Sequence, residues 1–175
     1  MKKTIIYLSI VAALVAGSVS LALAGGQAAD LQPRLKQLFP AATAFSPKEG
    51  DPPHFKAYQG TGASRAVVGY VFWTTEVSPL ERGYGGPIAM LIGLDIKGVV
   101  TGVLIGEHHE PYGEFSIDRP GFTATFRNKS VRDPFRLGED VDAVSRATIT
   151  MSSAVRAIRN SARRMARQYI TPPSP

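Results

Sequence analysis

Three hydroxyls, a pair of adjacent histidines and a knot of glycines are the residues of this chain with chemistry to offer. Ser145, Thr148 and Thr150 stand just ahead of an apolar repeat with helical spacing. Their hydroxyls therefore fall where a helix start exposes unpaired N–H groups and the positive end of its dipole. A phosphate is stabilised at such a place without a dedicated pocket. Arg146 adds a planar fork of donors that suits phosphate oxygens, and the threonine at 148 can carry a phosphate as an ester. Capping is the ordinary alternative, because serine and threonine are preferred at helix starts. Asp142 has a similarly plain reading as an acidic residue near a positive helix end.

The glycines lie in Gly83-Tyr84-Gly85-Gly86-Pro87. Gly85 and Gly86 allow a backbone to come close to a flat ligand, and Tyr84 offers an aromatic face beside it; a plain connector between strands has the same composition. His108-His109-Glu110 has the side chains of a zinc site. The only other histidine is His54, however, and adjacent histidines on a strand point to opposite faces. His108 and Glu110 would share a direction and His109 would take the other, so either set can face a ligand. No Ser-His-Asp arrangement, nucleophile elbow, phosphate loop or dinucleotide fingerprint accompanies them. No residue is assigned a catalytic role, and no metal ligand is assigned.

These residues need a scaffold, and the pattern predicts an α+β domain with a mainly antiparallel sheet and a long C-terminal helix. Residues 29–38 read as a short helix, and the Pro- and Gly-rich stretch 46–62 as irregular. Residues 66–77 are rich in β-branched and aromatic types and read as a strand. Residues 88–96 and 99–105 form a hairpin around Asp95-Ile96-Lys97-Gly98. Both of its strands are nearly continuously apolar, as expected of central strands covered on two faces. Residues 122–126 read as a further strand. From Met151, apolar residues at Val155, Ile158, Ala162, Met165 and Tyr169 mark one helix face, with Arg156, Arg159, Arg163, Arg164 and Arg167 on solvated sides.

The chain has 175 residues and no cysteine, which excludes disulfides, cysteine-ligated clusters and haem attached through Cys-x-x-Cys-His. Its net charge is +6, and the gathered arginines could suit nucleic acid or anionic lipid; they read first as the solvated face of a helix, and the export pattern of the N-terminus makes nucleic acid an unexpected partner. Lys2 and Lys3 precede an apolar run that ends Ala22-Leu23-Ala24. This is the pattern of an export signal cleaved after Ala24, or of an N-terminal anchor spanning 1–24. The rest divides into a helix and irregular segment at 25–65, the main domain at 66–170, and a disordered tail at 171–175.

Asp142-Ala143-Val144-Ser145-Arg146-Ala147-Thr148 resembles the Asp-x-x-Ser/Thr-Gly-Ala-Thr signature on which a flavin transferase esterifies FMN to the last threonine. Arg146 replaces the usual glycine. With Gly83–Ile88, with Glu107-His108-His109-Glu110-Pro111, and with Leu38-Phe39-Pro40 and Gly69–Phe72, the chain is similar over most of its length to the periplasmic flavodomain of NosR/NirI-type proteins. These are related to flavinylated Rnf and Nqr subunits. The resemblance implies FMN held covalently by Thr148, with Asp142, Ser145, Arg146 and Ala147 in the attachment motif. It also implies Tyr84, Gly85, Gly86, Pro87, His109 and Glu110 near the flavin. The implied partners are a periplasmic FMN transferase, a membrane electron-donor complex, and a periplasmic reductase or carrier. The implied location is the periplasm or the extracytoplasmic face of the inner membrane, and the implied work is electron transfer in an anaerobic-type respiratory chain. The rival expectations are a regulatory or maturation module for a periplasmic reductase, and a metal-binding periplasmic protein.

Overall fold

A strand of eight residues, Ala66–Trp73, lies at the middle of a five-stranded sheet in which every neighbour is antiparallel and every strand follows its neighbour in sequence. The computed structural model describes residues 31–141 and 148–170. The expected signal or anchor at 1–24, the expected tail at 171–175, and Asp142, Ser145, Arg146 and Ala147 lie outside the described residues. The described residues up to Leu35 and those from Lys36 fall in separate units, and the sheet belongs to the second.

Helix α1 spans 31–38, within the helix expected there. The sheet then runs β1 (Ala44–Phe45), β2 (Phe55–Gln59), β3 (Ala66–Trp73), β4 (Met90–Asp95) and β5 (Val100–Ile105). Three helices accompany the sheet: α2 (Thr74–Val77), α3 (Pro120–Ala124) and α4 (Thr148–Tyr169). Antiparallel pairing and a long closing helix are the architecture the sequence pattern predicts. The hairpin of β4 and β5 turns at Gly98, whose φ of +79° needs a residue without a Cβ.

The core forms between one face of the sheet and α4. Tyr70, Phe72, Met90, Ile92, Leu94, Val100 and Val103 meet Met151, Val155, Ile158, Ala162 and Met165. Each large apolar side chain so buried contributes about 1.5–3 kcal/mol relative to exposure. Phe122, Phe126 and Phe135 extend this core. The other sheet face is filled from above by Leu38 and Phe39: a Cβ on Gly69 would stand 2.3 Å from Phe39 Cζ, and one on Gly93 3.1 Å from Leu38 Cβ.

The structure corrects several expectations. Residues 55–59 are a strand within the stretch expected to be irregular, because Phe55 and Ala57 alternate inward while Lys56 and Tyr58 are less buried. The strand beginning at Ala66 ends at Trp73; the chain then makes the single turn of α2, tied down where Thr74 Oγ1 accepts from Met90 N at 3.0 Å and donates to Ile88 O at 2.9 Å. β4 is central, but β5 is an edge strand, and residues 128–131 bond only to its first residue, Val100, and to the turn before it. The expected strand at 122–126 is instead the end of a helix and a turn: Pro120 starts α3, which ends at Ala124, and Phe122 and Phe126, four residues apart, meet edge to face at 5.1 Å. The arginines of α4 do more than face water. Arg163 donates to Val131 O and Asp133 O at 2.9 and 2.8 Å, and Arg164 to Val77 O at 2.9 Å. Long guanidinium arms on the helix flanks therefore hold the 131–133 segment and the end of α2 to it.

Candidate functional site

The glycine loop, the segment after β5 and the first turn of α4 converge on one carboxylate. Glu110 is buried. Its Oε1 accepts from Gly85 N at 2.8 Å and its Oε2 from Tyr84 N at 3.0 Å. The Thr150 hydroxyl also donates to Oε2. A buried carboxylate requires such donors, because desolvation without them is costly.

Sheet pairing brings Glu110 to this place. Beyond β5, Gly106 N donates to Ala89 O and Ala89 N to Glu107 O, so the ladder carries the chain on towards α4. His108 and Glu110 both turn inward, in loop rather than strand. Glu110 N donates to His108 Nδ1 at 3.2 Å, and His108 Nε2 lies 2.9 Å from Asp118 Oδ1. An Nδ1 that accepts leaves the proton on Nε2, which donates to the aspartate; the tautomer follows from these partners. His109 is exposed, and its contribution to the packing is its carbonyl, 1.9 Å from where a Cβ on Gly85 would stand. A Cβ on Gly83 would lie 2.3 Å from Glu110 Oε1. The glycines at 83 and 85 thus admit residues 109–110 to close contact. At Gly86, with φ +133°, the space where a Cβ would project is open. Gly83 N closes the loop on Gly86 O at 2.7 Å.

The loop displays what it does not bury. Tyr84 is 72% exposed, and Tyr112 and Ile149, neighbours in sequence of residues in this cluster, are 57% and 62% exposed. Pro87 is exposed as well.

Thr148 begins α4 and is exposed. Two residues in a helix stand about 200° apart. Thr150 therefore turns inward to Glu110 while Thr148 keeps a hydroxyl open to solvent at the positive helix end. One turn further along the same stripe, Ser152, Val155, Arg156 and Arg159 face Phe135, Arg136, Leu137 and Glu139 across a recess of about 290 Å³. Of the site residues expected from sequence, Tyr84, Gly85 and Glu110 are in direct contact with one another. Glu110 further contacts Thr150, which the sequence marked only as a hydroxyl near the helix start. The roles of His108 and Asp118 were not foreseen, since a hydrogen bond across ten residues of loop leaves no periodic trace.

Among the described residues no group of three or more His, Cys, Asp or Glu is placed to hold a metal ion. His54 lies elsewhere, buried against Tyr70 and Tyr169 with ring centres 5.4 and 4.3 Å away. Among the described residues no helix is long and apolar enough to cross a membrane.

The cluster falls within a segment that matches a known family. Residues 83–163 match the model of the FMN-binding domain. The chain is 30% identical over 145 residues to the G subunit of the ion-translocating oxidoreductase complex of Methanosarcina acetivorans, covering 77% of this chain and 74% of that protein. It is 36% identical over 106 residues to the Haemophilus influenzae protein of the same name, covering 55% of this chain and 49% of that one. It is 30% identical over 144 residues to the regulatory protein NosR of Pseudomonas aeruginosa, covering 76% of this chain and 20% of that protein. The chain thus spans about a fifth of the length of that NosR relative.

Proposed function

The chain belongs to the FMN-binding domain family, and from that premise we propose that it carries FMN covalently through a phosphoester on Thr148. It is an electron-transfer flavoprotein, and the redox chemistry is that of the flavin when bound. The observation that carries the covalent reading is the exposed hydroxyl of Thr148 at the start of α4, beside a buried Thr150 already engaged with Glu110. The residues present fit the group. A phosphodiester at Thr148 would lie at the positive helix end, on the side of α4 that carries Arg156 and Arg159; Arg156 is paired with Glu81, and Arg136 across the recess with Glu139. The exposed faces of Tyr84 and Ile149 offer apolar contact to a planar ring.

Attachment belongs to a separate periplasmic FMN transferase. The Thr148 Oγ–phosphorus bond forms as the anhydride bond of a flavin dinucleotide donor breaks, the nucleoside monophosphate leaves, and the hydroxyl proton passes to a base. Asp142, Ser145, Arg146 and Ala147 serve recognition in that step. Gly86, Pro87 and His109 border the flavin. The protein works at the extracytoplasmic face of the inner membrane, between a membrane donor complex and a periplasmic reductase or carrier.

The test is the intact mass of the exported protein made with an active flavin transferase, beside Thr148→Ala. Addition of FMN less one water, with a yellow spectrum, is expected in the parent and absent from the variant. An unmodified parent protein would sink the covalent reading and favour a partner-binding regulatory module.

A further inference from the structure

Glu110 has a role that the attachment chemistry does not require. We propose that it is a positioning residue: its carboxylate clasps the Tyr84–Gly85 backbone to the first turn of α4, and so fixes the surroundings of the flavin that Thr148 carries. The proposal rests on the covalent reading above.

Several observations point the same way. The carboxylate is 7% exposed, and all the donors it accepts come from other segments, two from the glycine loop and one from α4. It is itself aimed from behind, because its own N–H is held by His108, whose ring is held in turn by Asp118. Gly83 and Gly85 leave no room for side chains against residues 109–110, so the loop is seated tightly on the clasp. The outcome is a fixed backbone at Tyr84 beneath a side chain that is 72% exposed. A rigidly mounted, solvent-facing aromatic is of little use to folding and of direct use to a planar ligand attached two residues from Thr150. Glutamine cannot replace the carboxylate, since its amide has one acceptor oxygen where two are in use.

The experiment uses the full chain with its transferase and compares Glu110→Gln, Thr150→Val, the double variant, and Glu114→Gln as an exposed carboxylate outside the clasp. Intact mass gives the loading, and all flavin signals are normalised to it. Three quantities are read: amide exchange at Tyr84 and Gly85, visible circular dichroism of the bound flavin, and iodide quenching of its fluorescence. Glu110→Gln should speed exchange at those amides by about tenfold or more, as expected when a hydrogen bond to a charged group is lost. It should also weaken the dichroism and raise quenching. Thr150→Val should move the flavin signals in the same direction, the double variant should add less than the sum, and Glu114→Gln should match the parent. Parental dichroism and quenching in both clasp variants would overturn the proposal, even with faster exchange. A parent protein that gains no mass marks failure of the covalent reading itself, visible without any variant, and the positioning role then falls with it.

Discussion

At the scale of single residues, the site depends on where side chains are missing. Gly85 is exposed, yet a methyl there would stand 1.9 Å from the carbonyl oxygen of His109. Backbone, unlike the end of a flexible side chain, cannot swing aside. Gly85→Ala should therefore shift the loop off Glu110 and destabilise the protein by about 1–3 kcal/mol, the usual cost of forcing an extra group into packed surroundings. Gly121→Ala is the matched control: it lies in α3 with open space around it, and should be neutral or stabilising by about 0.4–1 kcal/mol. Thermal unfolding of the pair checks this, and equal melting temperatures would refute the contact.

At the scale of elements, the loop that leads into the attachment motif is held by one acid. Asp140 accepts from Arg136 N at 2.5 Å, Lys129 Nζ at 3.0 Å and Phe135 N at 3.1 Å. Partial burial pushes its carboxyl up, but the backbone N–H of Arg136, the Lys129 ammonium and the Phe135 N–H together hold it below its ordinary value. A depressed carboxylate gives stability that is fully present above the ordinary range, near pH 4, and is lost as pH falls through the folded value. Asp140→Asn should thus be less stable at pH 7 and show a flatter fall in stability below about pH 4. Denaturant melts across that window decide it; parallel curves would remove Asp140 from the acid response. Elements with a strong period were legible in sequence. Helix α4 repeats its apolar face over 22 residues, and the β4–β5 turn announced itself through Gly98. Short elements were not. The five residues of β2 are framed by Pro53 and Gly60, which mask their alternation, and the aromatic Phe122–Phe126 pair reads as a strand until Pro120 is seen to start a helix turn. The glycine loop and the His-Glu segment were legible as motifs. That Thr150 joins them was not, because the contact spans forty residues.

At the scale of the whole molecule, the sheet is covered on both faces by different parts of the chain. Helix α4 supplies one layer. Phe39, 7% exposed, supplies much of the other by lying on the bare backbone of Gly69. Phe39→Ala would empty that layer, and no side chain on Gly69 can grow into the space. A loss of about 3–5 kcal/mol is expected, seen as a lower denaturant midpoint at unchanged slope. A loss under about 1 kcal/mol would mean that the layer is not part of the cooperative fold. The two ends of the sheet carry a different consequence. At one end β1 is only two residues long and is followed closely by Pro47; at the other, Val100 at the start of β5 already bonds through its N–H and its carbonyl to Lys129 and Asn128. A foreign strand seeking to extend the sheet finds a stub on one side and, on the other, an edge whose first residue is already paired. Self-association by strand addition, the common route from stable sheets to fibres, is thereby blunted.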